Sequence, residues 1–179
     1  LFFTQLFPKV ENIRDFECPW HLHVISQHLL EMYSGPCRRL IINAPPRSLK
    51  TSVANSYFIP WLLGKDPTLK IMVVTYGDDL SSTLAKATKN VLLHPAYKRI
   101  FPHVMLENDN MQATRLRTIQ GGHVIFSSLH GVMTGLGADW IILDDPLQAA
   151  HMRSETRQED VVQIFKQSIS TRLNTPESG

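Results

Sequence analysis

Two short runs of this chain are apolar at nearly every position. Trp140-Ile141-Ile142-Leu143 is followed by Asp144-Asp145-Pro146, and Ile71-Met72-Val73-Val74 lies inside the run 70–76. A strand with one wet face alternates apolar and polar residues; an unbroken apolar run suits a parallel strand covered on both faces. Helical patterns fall between and around these runs. The alternation predicts an α/β fold with a mostly parallel sheet flanked by helices. Residues 114–119 and 123–128 flank Gly121-Gly122, a two-glycine signal that adds an antiparallel hairpin.

The remaining elements follow from spacing and stop signals. Leu22, Ile25, Leu29, Leu30 and Met32 set a helix over 19–33, with Gly35-Pro36 just past its end. A strand is expected over 39–43, then a loop over 44–51. A helix over 51–63 is disturbed by Pro60. Asp78 or Asp79 is placed to cap a helix running to about residue 93. His94-Pro95 and Phe101-Pro102 bracket a short helical turn, a glycine-rich loop spans 131–137, and a polar amphipathic helix covers 152–173.

At 179 residues, 43% hydrophobic and 19% charged, the chain suits one domain with a substantial core. Its net charge of +2 permits nucleic-acid binding without arguing for it. Cys18 and Cys37 have no paired spacing, so neither a disulfide framework nor a zinc site is expected, and a reduced, cytoplasmic setting is. No apolar run approaches the ~20 residues of a membrane span. Leu1-Phe2-Phe3 lacks the basic start and small-residue site of a signal peptide. A start on Leu1, and an end at 174–179 that reads as a turn awaiting a strand, lead us to expect a fragment of a longer protein.

Chemistry concentrates at two strand ends. Leu40-Ile41-Ile42 runs into Asn43-Ala44-Pro45-Pro46-Arg47-Ser48-Leu49-Lys50-Thr51. Phosphate oxygens need backbone N–H groups, a helix N-terminus and a cation around them. Lysine followed by a hydroxyl residue supplies the cation and a magnesium ligand. Ala44 and Leu49 stand where a phosphate-binding loop commonly has glycines, so an ordinary strand–turn–helix junction is the competing reading. At the second end, Asp144 is placed to hold magnesium and Asp145 to orient or deprotonate an attacking water. The alternative there is an Asp-Pro turn with solvated acids.

Taken as a set, these stretches resemble the N-terminal ATPase domain of the phage terminase large subunit. The resemblance rests on 45–51, Trp61-Leu62-Leu63-Gly64, residues 73–80, residues 131–139 and 143–147, in order and covering most of the chain. It implies a P-loop NTPase fold of the RecA-like kind and a single ATPase domain over 1–179, without the nuclease domain. It implies ATP and Mg2+ as cofactors, with ATP cradled by Ala44, Pro45, Pro46, Arg47, Ser48, Leu49, Lys50 and Thr51. Arg47 would contact or sense the γ-phosphate, Lys50 would bridge the β- and γ-phosphates, and Thr51 and Asp144 would hold magnesium. Asp145 stands where the family usually has its catalytic glutamate, and Leu136 where many relatives have arginine. Trp20 and His21 match the region that holds the adenine; for Trp20 a core position is the other reading.

The function implied is an ATP-hydrolysing motor that drives double-stranded DNA into a capsid in the host cytoplasm. Its partners would be that DNA, a small terminase subunit and the portal protein, with a ring of identical subunits. Arg153 and Arg157 are the candidates for an arginine supplied to a neighbour, set against a solvated helix face. His21, His23 and His28 do not share one helix face, which argues against a metal site. The rival readings are a helicase-like translocase and a catalytically dead binding or structural module. No DNA cleavage, and at best slow ATP hydrolysis, is expected of the domain alone.

Overall fold

A four-stranded sheet runs through the molecule in the order β2-β3-β1-β4. This computed structural model describes residues 2–35, 37–107, 113–131, 136–147 and 153–174. β1 (Lys70–Thr75), β3 (His123–Ser128) and β4 (Trp140–Asp144) are parallel, and β2 (Arg115–Arg117) joins β3 antiparallel at the edge. The fold is therefore α/β with a mixed, mostly parallel sheet, as the apolar runs require.

The two faces of the sheet are covered unequally. Ile71, Val73, Val124, Phe126 and Leu116 point into the larger core, together with residues of five helices. These are α1 (Phe2–Val10), α2 (Trp20–Ser34), α3 (Phe58–Lys65), α4 (Asp78–Leu93) and α5 (Pro95–Ile100). Met72 and Val74 face the other way, into a smaller cluster with Leu129, Ala138 and Ile169. That face is covered by α6 (Glu155–Ile164) and the π-helical turn Phe165–Ile169. β1 is buried on both faces beyond Lys70, whereas Trp140, Ile141, Ile142 and Leu143 are only half-buried. The expectation of full cover fails for β4 because, among the described residues, it pairs along one edge only.

Several sequence expectations are corrected here. Residues 39–43 form no strand: the segment pairs with no described strand. Leu40 and Ile42 still pack against the core and Ile41 is 86% exposed, so the alternation is a strand's without a ladder. The cap of α4 is Gly77, and Asp78 and Asp79 instead occupy its first turn, where carboxylates favour the helix dipole. The helix after the loop is not uniform. A π-helical turn, Ser52–Tyr57, precedes α3. Proline clashes with the carbonyl four residues back and offers it no N–H, so Pro60 opens the preceding turn at Ser56. The expected helix over 152–173 is broken into α6, the π turn and a 3-10 turn, Ser170–Arg172, and 152 lies outside the described residues. α1 was not anticipated, although Phe3, Leu6 and Phe7 have helical spacing and are buried.

The two-glycine hairpin forms as expected. Gly121 takes a left-handed φ of 94°, and a side chain on Gly122 would collide with the Pro67 carbonyl. Of the glycine-rich loop, 132–135 lie outside the described residues.

Candidate functional site

The loop 44–51 leads from the unpaired segment into the helix that begins at Lys50. Arg47 and Leu49 adopt left-handed backbone, with φ of 63° and 60°. Leu49 thus takes, as an L-residue, the kind of conformation for which glycine is the default. Its side chain packs against the large core, so burial offsets the strain. Arg47 is exposed, has no such compensation, and its side chain is free to meet a ligand. Ser48 is tied to α2: the His21 ring Nε2 lies 3.1 Å from its carbonyl oxygen. The Ser48 hydroxyl oxygen is buried and has no hydrogen-bond partner.

The acidic strand end meets this loop directly. Lys50 Nζ donates to Asp145 Oδ1 at 3.0 Å, and Thr51 Oγ1 donates to Asp144 Oδ1 at 3.2 Å. Asp144 is 5% exposed. Burial raises the pKa of its carboxyl, the Thr51 hydrogen bond opposes this, the Asp145 charge adds to it, and Lys50 lowers it. Asp145 is exposed and takes a left-handed φ of 45°, which aspartate tolerates better than most residues. That turn swings the second carboxylate out of the strand and over Lys50. Two acids in sequence therefore receive different surroundings: one buried against a hydroxyl, one solvated against an ammonium.

Thr75 pairs in register with Asp144 and with Ser128. The buried Thr75 hydroxyl donates to Gly77 O at 2.8 Å and shares a 2.9 Å hydrogen bond with Ser81. A polar row thus closes the carboxyl end of the sheet, the edge where open α/β sheets bind ligands. Asn55, in the π-helical turn after the loop, is also buried, and neither amide atom has a partner. Sequence reasoning passed over it because a polar residue in a helix carries no signal of burial by itself.

The other candidates divide. Trp20 is 77% exposed and sits edge-on to His21 at 6.1 Å, so the core reading of Trp20 is wrong. His21 touches the loop backbone, while His23 is exposed and His28 lies 2.9 Å from Glu31 Oε2. The three histidines do not converge, and no group of metal-binding residues is found among the described residues. Arg153 and Arg157 are exposed beside α6, whose Ser154 Oγ caps the helix by accepting from Arg157 N. No described helix is long and apolar enough to cross a membrane. The chain matches no protein-family model and no curated protein sequence.

Proposed function

We propose that this chain is a magnesium-dependent ATPase of the P-loop kind. One observation carries the reading. The fold brings Lys50-Thr51 and Asp144-Asp145, 93 and 95 residues apart in sequence, into paired contact at the carboxyl edge of a parallel sheet. A solvated turn or a plain strand–helix junction gives no reason for two matched contacts between these two motifs.

The residues suit the implied cofactors. Thr51 Oγ1 and Asp144 Oδ1, 3.2 Å apart, are two hard oxygens close enough to serve one small cation, directly or through its water. When bound, magnesium would neutralise charge on the β- and γ-phosphate oxygens. The protein's own part is a change of partners at Lys50. Its ammonium rests on Asp145, and arriving phosphates offer it a denser negative charge. Moving Lys50 onto them frees Asp145 to orient a water and accept its proton as the water oxygen bonds to the γ-phosphorus and the bond to the ADP oxygen breaks. Arg47, exposed on the same loop and without an ion pair among the described residues, would add a second cation. Trp20 is exposed beside the His21 that touches the loop, and its aromatic face suits a stacked base.

The finer reading comes from the resemblance described above. It makes this domain the motor of a terminase, moving duplex DNA into a capsid in the host cytoplasm, with a small terminase subunit, the portal protein and a ring of like subunits as partners.

Calorimetry of magnesium-ATP binding by the chain and by its Lys50→Ala variant tests the ATPase reading. Saturable binding that weakens at least about tenfold in the variant is expected, a loss of ~1.4 kcal/mol. A well-folded chain that takes up no nucleotide would sink it.

A further inference from the structure

At the opposite end of the sheet the register lines up basic residues. Arg117 on β2 pairs with His123 on β3, and His123 pairs with Lys70 on β1. Arg115 lies two residues from Arg117 and so shares its face. All four alternate with residues that point into the large core: Leu116, Val124 and Ile71. They therefore stand on the opposite face, at the end beyond Met72 and Val74, which pack under α6 and the Phe165–Ile169 turn. Arg117 and Lys70 are exposed.

Described acids offset them only in part. Arg115, Arg117 and Lys70 form no ion pair among the described residues, and Arg115 Nε is buried without an acceptor. The one acid whose charge is felt at His123 is Asp139. Its oxygens accept from Lys70 N at 2.8 Å and from Asn174 Nδ2 at 2.5 Å, so one negative charge stands beside three basic side chains. The His123 ring registers the cluster: burial lowers its pKa, and Arg115, Lys70 and Arg117 lower it further. Fixed cations held together against their mutual repulsion call for an outside anion.

The geometry points to this row as a docking surface for the phosphate backbone of a nucleic acid. Three strands at ~4.8 Å spacing make a row about 10 Å across. One phosphate would meet a single member of it. A duplex presents a charge every ~1.7 Å of its axis and spans the whole row. The cations sit on a sheet face rather than inside a cleft, which suits a rod laid across them. The assignment stands apart from the nucleotide reading, since it uses none of the same residues.

The test is anisotropy of a short fluorescein-labelled DNA duplex, titrated with the full chain between about 50 and 200 mM salt. The wild type is compared with Lys70→Glu/Arg117→Glu and with Lys98→Glu/Arg99→Glu on α5, which changes the charge equally at exposed positions. Circular dichroism and magnesium-ATP calorimetry on both variants report folding and the nucleotide site. We expect the sheet variant to lose at least about tenfold in affinity at low salt, with the log–log salt slope shallower by about 2. The α5 variant should stay within about threefold of wild type. Equal losses in the two variants would mean that net charge alone is sensed, and would overturn the assignment. So would a wild type that shows no salt-dependent binding. Lost nucleotide binding with DNA binding intact would count against the ATPase reading alone.

Discussion

Arg47 and Leu49 share a conformation but not its consequences. Each holds an L-residue in left-handed backbone, at a cost of roughly 1–2 kcal/mol. Arg47 is exposed and makes no hydrogen bond or ion pair among the described residues, so nothing local offsets that cost. Glycine there relieves the strain but adds freedom to the unfolded chain, leaving a net gain of up to about 1 kcal/mol. Arg47→Gly should therefore raise the urea midpoint while weakening magnesium-ATP binding. Leu49→Gly should lower the midpoint, because the same relief is outweighed by lost contact with the core. An Arg47→Gly variant that gains no stability would show the loop is unstrained there; one that keeps full nucleotide affinity would remove Arg47 from the phosphate site.

Elements were legible where a local rule decided them and obscure where a distant partner did. Runs 71–74 and 140–143 read as buried parallel strands because no polar residue interrupts them, and β1 and β4 form there. The helix before Gly35, the helix to Leu93 and the short turn after His94-Pro95 likewise follow from stop signals. Residues 39–43 show the limit. Their alternation is real, with Ile41 out and Leu40 and Ile42 in, but a ladder needs a neighbour and no local rule supplies one. The candidate site was legible as two motifs. Their contact was not, since the Lys50–Asp145 and Thr51–Asp144 distances depend on how the whole sheet is ordered. The hairpin rests on one side chain that the sequence did not mark. Thr118 Oγ1 accepts from Gly122 N at 2.9 Å and donates to Pro67 O at 2.6 Å. Thr118→Val keeps the shape and deletes both bonds, leaving the buried Gly122 N–H and the part-buried Pro67 carbonyl without the hydroxyl, at a cost of about 1–3 kcal/mol. Thr118→Ser keeps the hydroxyl and should cost less. A larger loss for Thr118→Ser than for Thr118→Val in urea unfolding would assign the stability to the methyl group instead.

On the scale of the molecule, β1 joins the two ends to which we assign different ligands. Thr75 at its carboxyl end pairs with Asp144 of the proposed nucleotide site, and Lys70 at its amino end belongs to the basic row. Five steps of ~3.3 Å separate them by about 17 Å. Through water, unit charges at that distance interact by only ~0.25 kcal/mol before screening. The Debye length is ~8 Å at physiological salt, so two such lengths intervene and the direct term nearly vanishes. The strand between is buried on both faces and packed, which leaves it no continuous way to bend. Anion binding at one end is therefore electrostatically silent at the other, and any coupling has to come from a discrete rearrangement of packed elements. For this domain alone, a saturating non-hydrolysable ATP analogue with magnesium should change the affinity for duplex DNA by less than about threefold. Linkage demands the same factor when DNA is saturating and the analogue is titrated. Measuring both directions at one salt concentration checks the thermodynamic cycle internally. A common factor of ten or more would show that the sheet or its helices move between two arrangements on binding, and would locate a motor's coupling inside this domain. A factor near one would make the domain a rigid bridge, holding fuel and cargo at the two ends of one strand.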